Sequence, residues 1–186
     1  MFMYSNSNKR YHTLDYYYKQ KFNSKVFKIS LNGGFTCPNI DGTKGIGGCI
    51  YCSSLGSGEY AGNKFDDLKT QFEKGLKMMK RKWPNGKYIA YFQANTNTYA
   101  NVDVLKEKYE EVLTFDNVIG LNIATRCDAI TNECLEYLKE LNKRTFLTIE
   151  LGLQTMHDKT AKFFCNSNSC RCNKSKGIYN GLNYQK

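Results

Sequence analysis

Hydrophobic and polar positions follow two periods along this chain, and the two periods predict strands that alternate with helices. Four segments with alternating or continuous apolar residues predict strands, at 25–31, 88–92, 118–125 and 145–153. Apolar residues spaced three and four positions apart predict helices at 65–82, 103–113, 131–141 and 158–164, the third capped by Thr131. Strands alternating with helices indicate an α/β fold that is built on a parallel sheet.

Polar side chains follow the later strands, and a long glycine-rich loop, 32–63, follows the first strand. A loop of that length is too long for a simple connector, and such loops usually carry function. The polar residues that stand out at the strand ends are Gln93, Asn95, Thr96, Arg126, Asp128, Glu150 and Gln154. In parallel α/β folds the ligand site lies at the carboxyl ends of the strands, so these residues are its expected lining. The alternative is that each is an ordinary polar loop residue.

The net charge of the chain gives only limited support for a nucleic-acid partner. The chain carries 27 basic and 17 acidic residues, a formal charge of +10, but residues 1–158 carry only 21 basic residues against all 17 acidic ones. Near the amino terminus, lysines alternate with aromatic residues such as Tyr16, Tyr17, Tyr18 and Phe22. Such a pattern is typical of single-stranded nucleic-acid binding, although a solvated face whose tyrosines pack on the domain is the alternative.

The distribution of apolar residues argues against a membrane-spanning helix and a secretory signal, and this bears on the state of the cysteines. No run approaches 18 apolar residues, so we expect no membrane-spanning helix, and the first ten residues contain no apolar core of a secretory signal. We therefore expect a cytoplasmic protein whose eight cysteines are free thiols, metal ligands or catalytic groups rather than a disulfide framework.

Three cysteines on the glycine-rich loop form the most specific pattern in the chain. Cys37 is separated by eleven residues from Cys49, and Cys52 completes a C-x-x-C pair with Cys49. A structural zinc site needs four protein ligands, and neither histidine lies at ligand spacing. Three cysteines instead leave one iron of a [4Fe–4S] cluster open for another ligand. We favour the iron–sulfur interpretation, and zinc or unliganded core cysteines are the alternatives.

Several blocks of the chain resemble the radical S-adenosylmethionine (SAM) superfamily, and in particular its YhcC/YtqA-type family, which is related to the elongator catalytic-subunit branch. They are RYHTLDYYYKQKF, VFKISLNGGFTCPN, GFTCPNIDGTKGIGGCIYC, YFQANTNTYA, IATRCD and ELGLQTMHDKT, in that order, over about residues 10–162. The resemblance implies a partial (β/α) TIM-like barrel that is truncated to about four β/α units.

The resemblance also implies a cofactor and a reaction. Cys37, Cys49 and Cys52 would hold a [4Fe–4S] cluster whose open iron binds SAM. An electron donor of the flavodoxin or ferredoxin type would then drive cleavage of SAM to a 5′-deoxyadenosyl radical, which abstracts hydrogen from an unknown substrate. SAM or substrate would contact Tyr51, Gln93, Asn95, Thr96, Arg126, Asp128, Glu150 and Gln154. A tRNA-modifying enzyme of the elongator type is one alternative, and an inactive fragment or a non-enzymatic zinc- or cluster-binding module is another.

The carboxyl-terminal part of the chain departs from the family. The resemblance ends near Ala161, where family members continue with another helix and further β/α units. We therefore expect a basic aromatic segment at 1–24, an incomplete core at 25–162, and an irregular tail at 163–186 that results from a frameshift or a premature end. Cys127 and Cys134 are interpreted as buried thiols, and a second metal site at Cys165, Cys170 and Cys172 is disfavoured because it lacks a fourth ligand.

Overall fold

The fold is an alternation of helices and parallel strands, seen in a computed structural model that describes residues 8–152, 154–155 and 157–165. The elements in chain order are α1 Leu14–Phe22, β1 Val26–Leu31, α2 Leu68–Lys80, β2 Lys87–Phe92, α3 Val102–Leu113, β3 Val118–Thr125, a 3-10 turn Cys127–Ala129, α4 Asn132–Arg144, β4 Phe146–Leu151 and α5 Asp158–Cys165. The four strands and the helices between them lie within a few residues of the predicted bounds, and Thr131 caps α4 as expected, its side chain accepting from the Cys134 amide at 3.1 Å.

The four strands form one sheet in the order β1-β2-β3-β4, with every neighbouring pair parallel. The α/β class with a parallel sheet is therefore confirmed. The prediction of a partial TIM-like barrel is wrong, because the sheet is open: in the described part of the chain, β1 pairs only with β2 and β4 pairs only with β3. A barrel closes only when enough tilted strands accumulate for the last to pair with the first, and these four strands do not return to β1.

One face of the sheet carries the main core. Alternate strand residues, among them Ile29, Ala90 and Ile123, pack against the buried faces of α2, α3 and α4. The residues between them point to the opposite face, because successive side chains in a strand alternate. Towards the amino ends of the strands, this opposite face is covered by α1, whose Tyr18 packs with Val26 and Ile89 in a second cluster. Towards the carboxyl ends of the strands, the same face carries polar residues.

The amino-terminal basic and aromatic residues are mostly engaged within the fold. The helix α1 was not apparent from the hydrophobic pattern, and Thr13 begins it by accepting from the Tyr16 amide. Tyr18 is buried, and the ring of Phe22 lies 5.2 Å from that of Phe146. Tyr18 and Phe22, two of the aromatic residues that the sequence pattern suggested for stacking on nucleic-acid bases, therefore pack within the fold.

The last described helix reaches further than expected. The helix α5 ends at Cys165, so the first three residues of the predicted irregular segment 163–186 are helical. The rest of that segment, including Cys170 and Cys172, lies outside the described residues. Among the described residues, none of the helices combines the length and the apolar character that spanning a bilayer requires.

Candidate functional site

The glycine-rich loop folds back on itself, which explains how two cysteines with eleven residues between them come together. The carbonyl of Cys37 accepts from the amides of Ile40 at 2.8 Å and Asp41 at 3.1 Å. The next two carbonyls continue the pattern, since Pro38 accepts from Lys44 at 2.8 Å and Asn39 accepts from Gly48 at 2.9 Å. The chain therefore returns to its starting point just before Cys49.

Glycine is required where this loop reverses. Gly47 and Gly48 have φ angles of +82° and +81°, which side chains with a Cβ rarely adopt. A tighter turn follows, in which the Cys52 amide donates to the Cys49 carbonyl at 2.9 Å. The loop thus delivers all three cysteines of the predicted ligand set to one place.

That place is a cavity of about 300 Å³ at the carboxyl ends of the strands. Every residue predicted for the site lines it: Cys37, Cys49, Tyr51, Cys52, Gln93, Asn95, Thr96, Arg126, Asp128, Glu150 and Gln154. The convergence follows from topology, since parallel strands place their carboxyl ends at one edge of a sheet. The structure therefore brings the predicted residues together, while their individual roles stay predictions.

Each of the three thiols has a polar neighbour. Cys49 Sγ accepts from Asn39 Nδ2 at 3.1 Å, Cys52 Sγ lies 3.1 Å from Ser57 Oγ, and Cys37 Sγ lies 4.0 Å from Arg126 Nη1. The pKa of the Cys52 thiol is raised, mainly by burial and further by the neighbouring sulfurs of Cys49 and Cys37. In the part of the chain that is described, no three His, Cys, Asp or Glu side chains are arranged to hold a metal ion, so ligation would require the three thiols to change their positions relative to one another.

A cationic cluster lies beside Cys37. Arg126 donates to both carboxylate oxygens of Asp128 at 2.9 Å, and Lys44 Nζ reaches the same carboxylate at 2.6 Å. Burial alone would raise the pKa of Asp128, but hydrogen bonds from Arg126 and Lys44 outweigh it and hold that pKa below its usual range. Two cations share one carboxylate, so the cluster carries a net positive charge at the edge of the cavity. The Lys44 bond also fastens the glycine-rich loop to the end of β3.

Glu150 is the hub of a second polar cluster, which spans all four strands on the face opposite α2, α3 and α4. Its Oε1 accepts from Lys28 Nζ at 2.5 Å and from Asn122 Nδ2 at 2.9 Å, and its Oε2 accepts from Tyr91 Oη at 2.8 Å. Burial favours a higher pKa for Glu150, yet these hydrogen bonds prevail and lower it. Both carboxylate oxygens are therefore occupied by protein donors.

The residues after β2 hold the loop in place. Asn95, at a φ of +62°, donates through Nδ2 to the Phe35 carbonyl at 3.0 Å and through its amide to the Gly56 carbonyl at 2.9 Å. The amide of the buried Thr96 donates to the Thr36 carbonyl at 3.2 Å. These residues therefore line the cavity and at the same time attach both ends of the loop to the sheet.

Aromatic and cysteine residues complete the surroundings. Tyr51 is 46% exposed, and its ring lies 6.1 Å from Phe164 of α5 in an edge-on arrangement. Burial and the neighbouring Cys49 raise the pKa of the Tyr51 hydroxyl. Cys134 is a buried free thiol, as predicted, and Cys127 is also buried.

The partners of these side chains were not found from the sequence. They are Lys28, Asn39, Lys44, Ser57, Tyr91 and Asn122. The alternation of side chains along the strands could have indicated three of these residues, because, like Glu150, they occupy the strand positions that alternate with core residues: Lys28, Tyr91 and Asn122. Nothing in the spacing of the loop singled out Asn39, Lys44 or Ser57.

Comparison with known proteins gives relatives whose names state no activity. The chain is 54% identical over 171 residues to "Uncharacterized protein YtqA" of Bacillus subtilis (strain 168), which covers 92% of this chain and 53% of that protein. It is 37% identical over 142 residues to "Protein YhcC" of Escherichia coli (strain K12), covering 76% and 45%. It is 40% identical over 148 residues to "Uncharacterized protein MJ0486" of Methanocaldococcus jannaschii, covering 77% and 44%.

The chain thus spans about half the length of the curated relatives that it matches. No family model matches it. No solved structure matches it either.

Proposed function

We propose that this chain is the cluster-binding part of a radical SAM enzyme, in which Cys37, Cys49 and Cys52 hold a [4Fe–4S] cluster. One observation carries the proposal: the three cysteines line a single cavity together with polar side chains from the ends of the other three strands. The relatives' names state no activity, so the chemistry rests on these cysteines and on the family resemblance of the motif.

The donor set fits the group in its chemistry. Thiolates are the ligands of iron–sulfur clusters, and a set of three leaves one iron open. When bound, such a cluster supplies one electron for reductive cleavage of SAM, and the resulting 5′-deoxyadenosyl radical abstracts hydrogen from the substrate. The folded loop supplies the three thiols from one segment, because its carbonyls at Cys37, Pro38 and Asn39 fix the return of the chain.

The remaining side chains orient ligands and exclude water. The Arg126–Asp128–Lys44 cluster, with its net positive charge beside Cys37, favours the negative charge of a thiolate-bound cluster and the carboxylate of SAM. Gln93 and Asn95 hold the loop over the strand ends, which closes one side of the cavity. Restricted access of water protects a radical from side reactions. Such oxygen-sensitive chemistry suits a reducing cytoplasm.

Anaerobic reconstitution with iron and sulfide tests the proposal. We expect a brown protein with about four irons per chain, whose spectrum changes when SAM is added and which releases 5′-deoxyadenosine on reduction. Single replacements of Cys37, Cys49 or Cys52 by serine should abolish loading, whereas Cys134→Ser should retain it, because Cys134 is buried in the core away from the cavity. A colourless chain that retains zinc would instead identify the zinc-binding module.

Transfer RNA as the substrate stays a prediction of the resemblance. Several lysines of the amino-terminal segment already have partners, since Lys19 and Lys25 pair with Asp15 at 2.8 and 2.7 Å and Lys21 lies over the Phe146 ring. If tRNA binds this face, its affinity should fall steeply with salt and fall again when Lys19, Lys21 and Lys25 are replaced by glutamine. Binding that ignores both changes would argue against tRNA at this segment.

A further inference from the structure

Asn39 is a fully buried polar residue that lies directly behind one of the three cysteines. None of its surface is exposed, and it is not among the residues that line the cavity. Its Nδ2 donates to Cys49 Sγ at 3.1 Å, and its carbonyl accepts from the Gly48 amide at 2.9 Å. Asn39 therefore makes two hydrogen bonds to the returning segment of the loop, one from its carbonyl to the Gly48 amide and one from its side chain to the Cys49 sulfur.

The contact differs in its surroundings from those at the other two thiols. The Asn39–Cys49 bond is buried, whereas the contact between Cys52 and Ser57 is exposed and Arg126 stands 4.0 Å from Cys37. A hydrogen bond in a buried, low-dielectric place is stronger than the same bond in water. A thiolate is also a better acceptor than a thiol, because charge-assisted hydrogen bonds are the stronger ones.

We propose that Asn39 is a positioning residue that aims the Cys49 sulfur into the cavity and stabilises its negative charge when the cluster is bound. The inference rests on the proposed function, and it adds a residue that the cysteine motif does not contain. Outer-shell partners of metal ligands orient the ligand and tune the metal, and their loss typically lowers metal affinity 10- to 100-fold. An N–H donor to a ligand sulfur also stabilises the reduced, more negative cluster, so its loss should lower the reduction potential.

Two substitutions separate this role from simple packing. Asn39→Asp keeps the shape but replaces the N–H donor by a carboxylate oxygen, and Asn39→Leu removes all polarity. Asn63→Asp is the matched control, because Asn63 lies on the same loop, is exposed, and uses its Oδ1 only as an acceptor for the Phe65 amide. The measurements are iron content after reconstitution, the rate of iron loss to a chelator, and the potential of the cluster by anaerobic redox titration.

We expect both Asn39 variants to lose iron at least 10-fold faster than the wild type, and any variant that loads fully to have a more negative potential. Asn63→Asp should match the wild type in both measurements. Full loading with an unchanged potential in either Asn39 variant would overturn the proposal, since a purely structural residue would not move the potential. A wild-type chain that binds no iron would instead refute the proposed function.

A second measurement covers variants that fail to fold, which circular dichroism would reveal. Wild-type chain labelled with ¹⁵N at the asparagine side-chain amides is reconstituted and reduced, and hyperfine coupling between the cluster and amide nitrogen is recorded by pulsed electron paramagnetic resonance. Coupling to an amide nitrogen hydrogen-bonded to a ligand sulfur supports the role of Asn39. Absence of any such coupling overturns it without recourse to a mutant.

Discussion

Replacing Glu150 by alanine should loosen the connection between all four strands, because one carboxylate collects a donor from each of the other three. Lys28 comes from β1, Tyr91 from β2 and Asn122 from β3. Removal of Glu150 leaves these donors without the acceptor that they share. The Lys28 ammonium also lies 4.7 Å from the centre of the Tyr91 ring, so it keeps one favourable contact after the substitution.

The magnitude depends on the burial of each partner. The side chains of Lys28 and Glu150 are 27% and 37% exposed, so solvent screening reduces their ion pair to about 0.5–1 kcal/mol. Asn122 is only 1% exposed, and an unsatisfied buried donor costs about 1–2 kcal/mol, to which the Tyr91 bond adds about 1 kcal/mol. We expect Glu150→Ala to lower the free energy of unfolding by about 3 kcal/mol, and Glu150→Gln by about half of that because one acceptor oxygen remains.

Urea unfolding monitored by fluorescence of Trp83, the single tryptophan, measures this change at constant slope. Glu107→Ala on the exposed face of α3 is the control and should change stability by less than about 0.5 kcal/mol. The folded-state pKa of Glu150 is lowered, so its contribution is present above the unfolded pKa of about 4.3 and is lost as the pH falls through the folded value. The difference between wild type and Glu150→Ala should therefore shrink in acid. Equal losses for Glu150→Ala and Glu107→Ala at neutral pH would refute the reasoning.

Two further substitutions probe how the loop is fixed to the sheet. Gly56→Ala should lower the free energy of unfolding by at least about 1 kcal/mol more than Gly34→Ala does. Both glycines have a positive φ, but a Cβ at Gly56 would lie 1.8 Å from Asn95 Oδ1, whereas nothing lies within 4 Å of a Cβ at Gly34. Equal melting temperatures of the two variants would show that Asn95 moves aside freely. Asp128→Asn should lower the free energy of unfolding by about 3 kcal/mol, and Lys44→Met should lower it by about 1 kcal/mol. The first loss is larger because Asp128 pairs with both Lys44 and Arg126, and its replacement leaves Arg126, which is 16% exposed, without its bidentate partner. Urea unfolding of both variants checks the order, and a larger loss for Lys44→Met would contradict it.

The sheet was predictable because its strands and helices each carry a strong local signal. The strand 118–125 was predicted with the observed bounds, and Thr131 supplied a cap whose geometry depends on four consecutive residues. The helix α1 was missed because only Tyr18 is buried, so its aromatic run shows no helical period. The second predicted helix was placed from residue 65, but Phe65 is 84% exposed, because Asp67 caps α2 and the helix begins at Leu68.

Closure of the sheet was the part of the fold that local pattern did not determine. Repeated β/α units produce the same periodicity in an open sheet and in a barrel. The difference lies in whether distant strands pair, which depends on strand number and tilt rather than on any single segment. The order β1-β2-β3-β4 therefore corrects an expectation that came from resemblance and not from the periodicity itself.

The lining of the cavity was predictable for a topological reason, but the roles of its residues depend on partners that lie far away in the chain. Strand-end position correctly brought Glu150 to the cavity, 122 residues from Lys28, yet nothing local indicated that both of its oxygens are already occupied. A ligand that uses Glu150 as an acceptor would meet a free lone pair on Oε2, which accepts from Tyr91 alone, whereas Oε1 already accepts from both Lys28 and Asn122. Tyr91→Phe would free Oε2 while it keeps the ring beneath Lys28. Glu150 therefore orders four strands through its present donors, and its direct contact with a ligand stays a prediction.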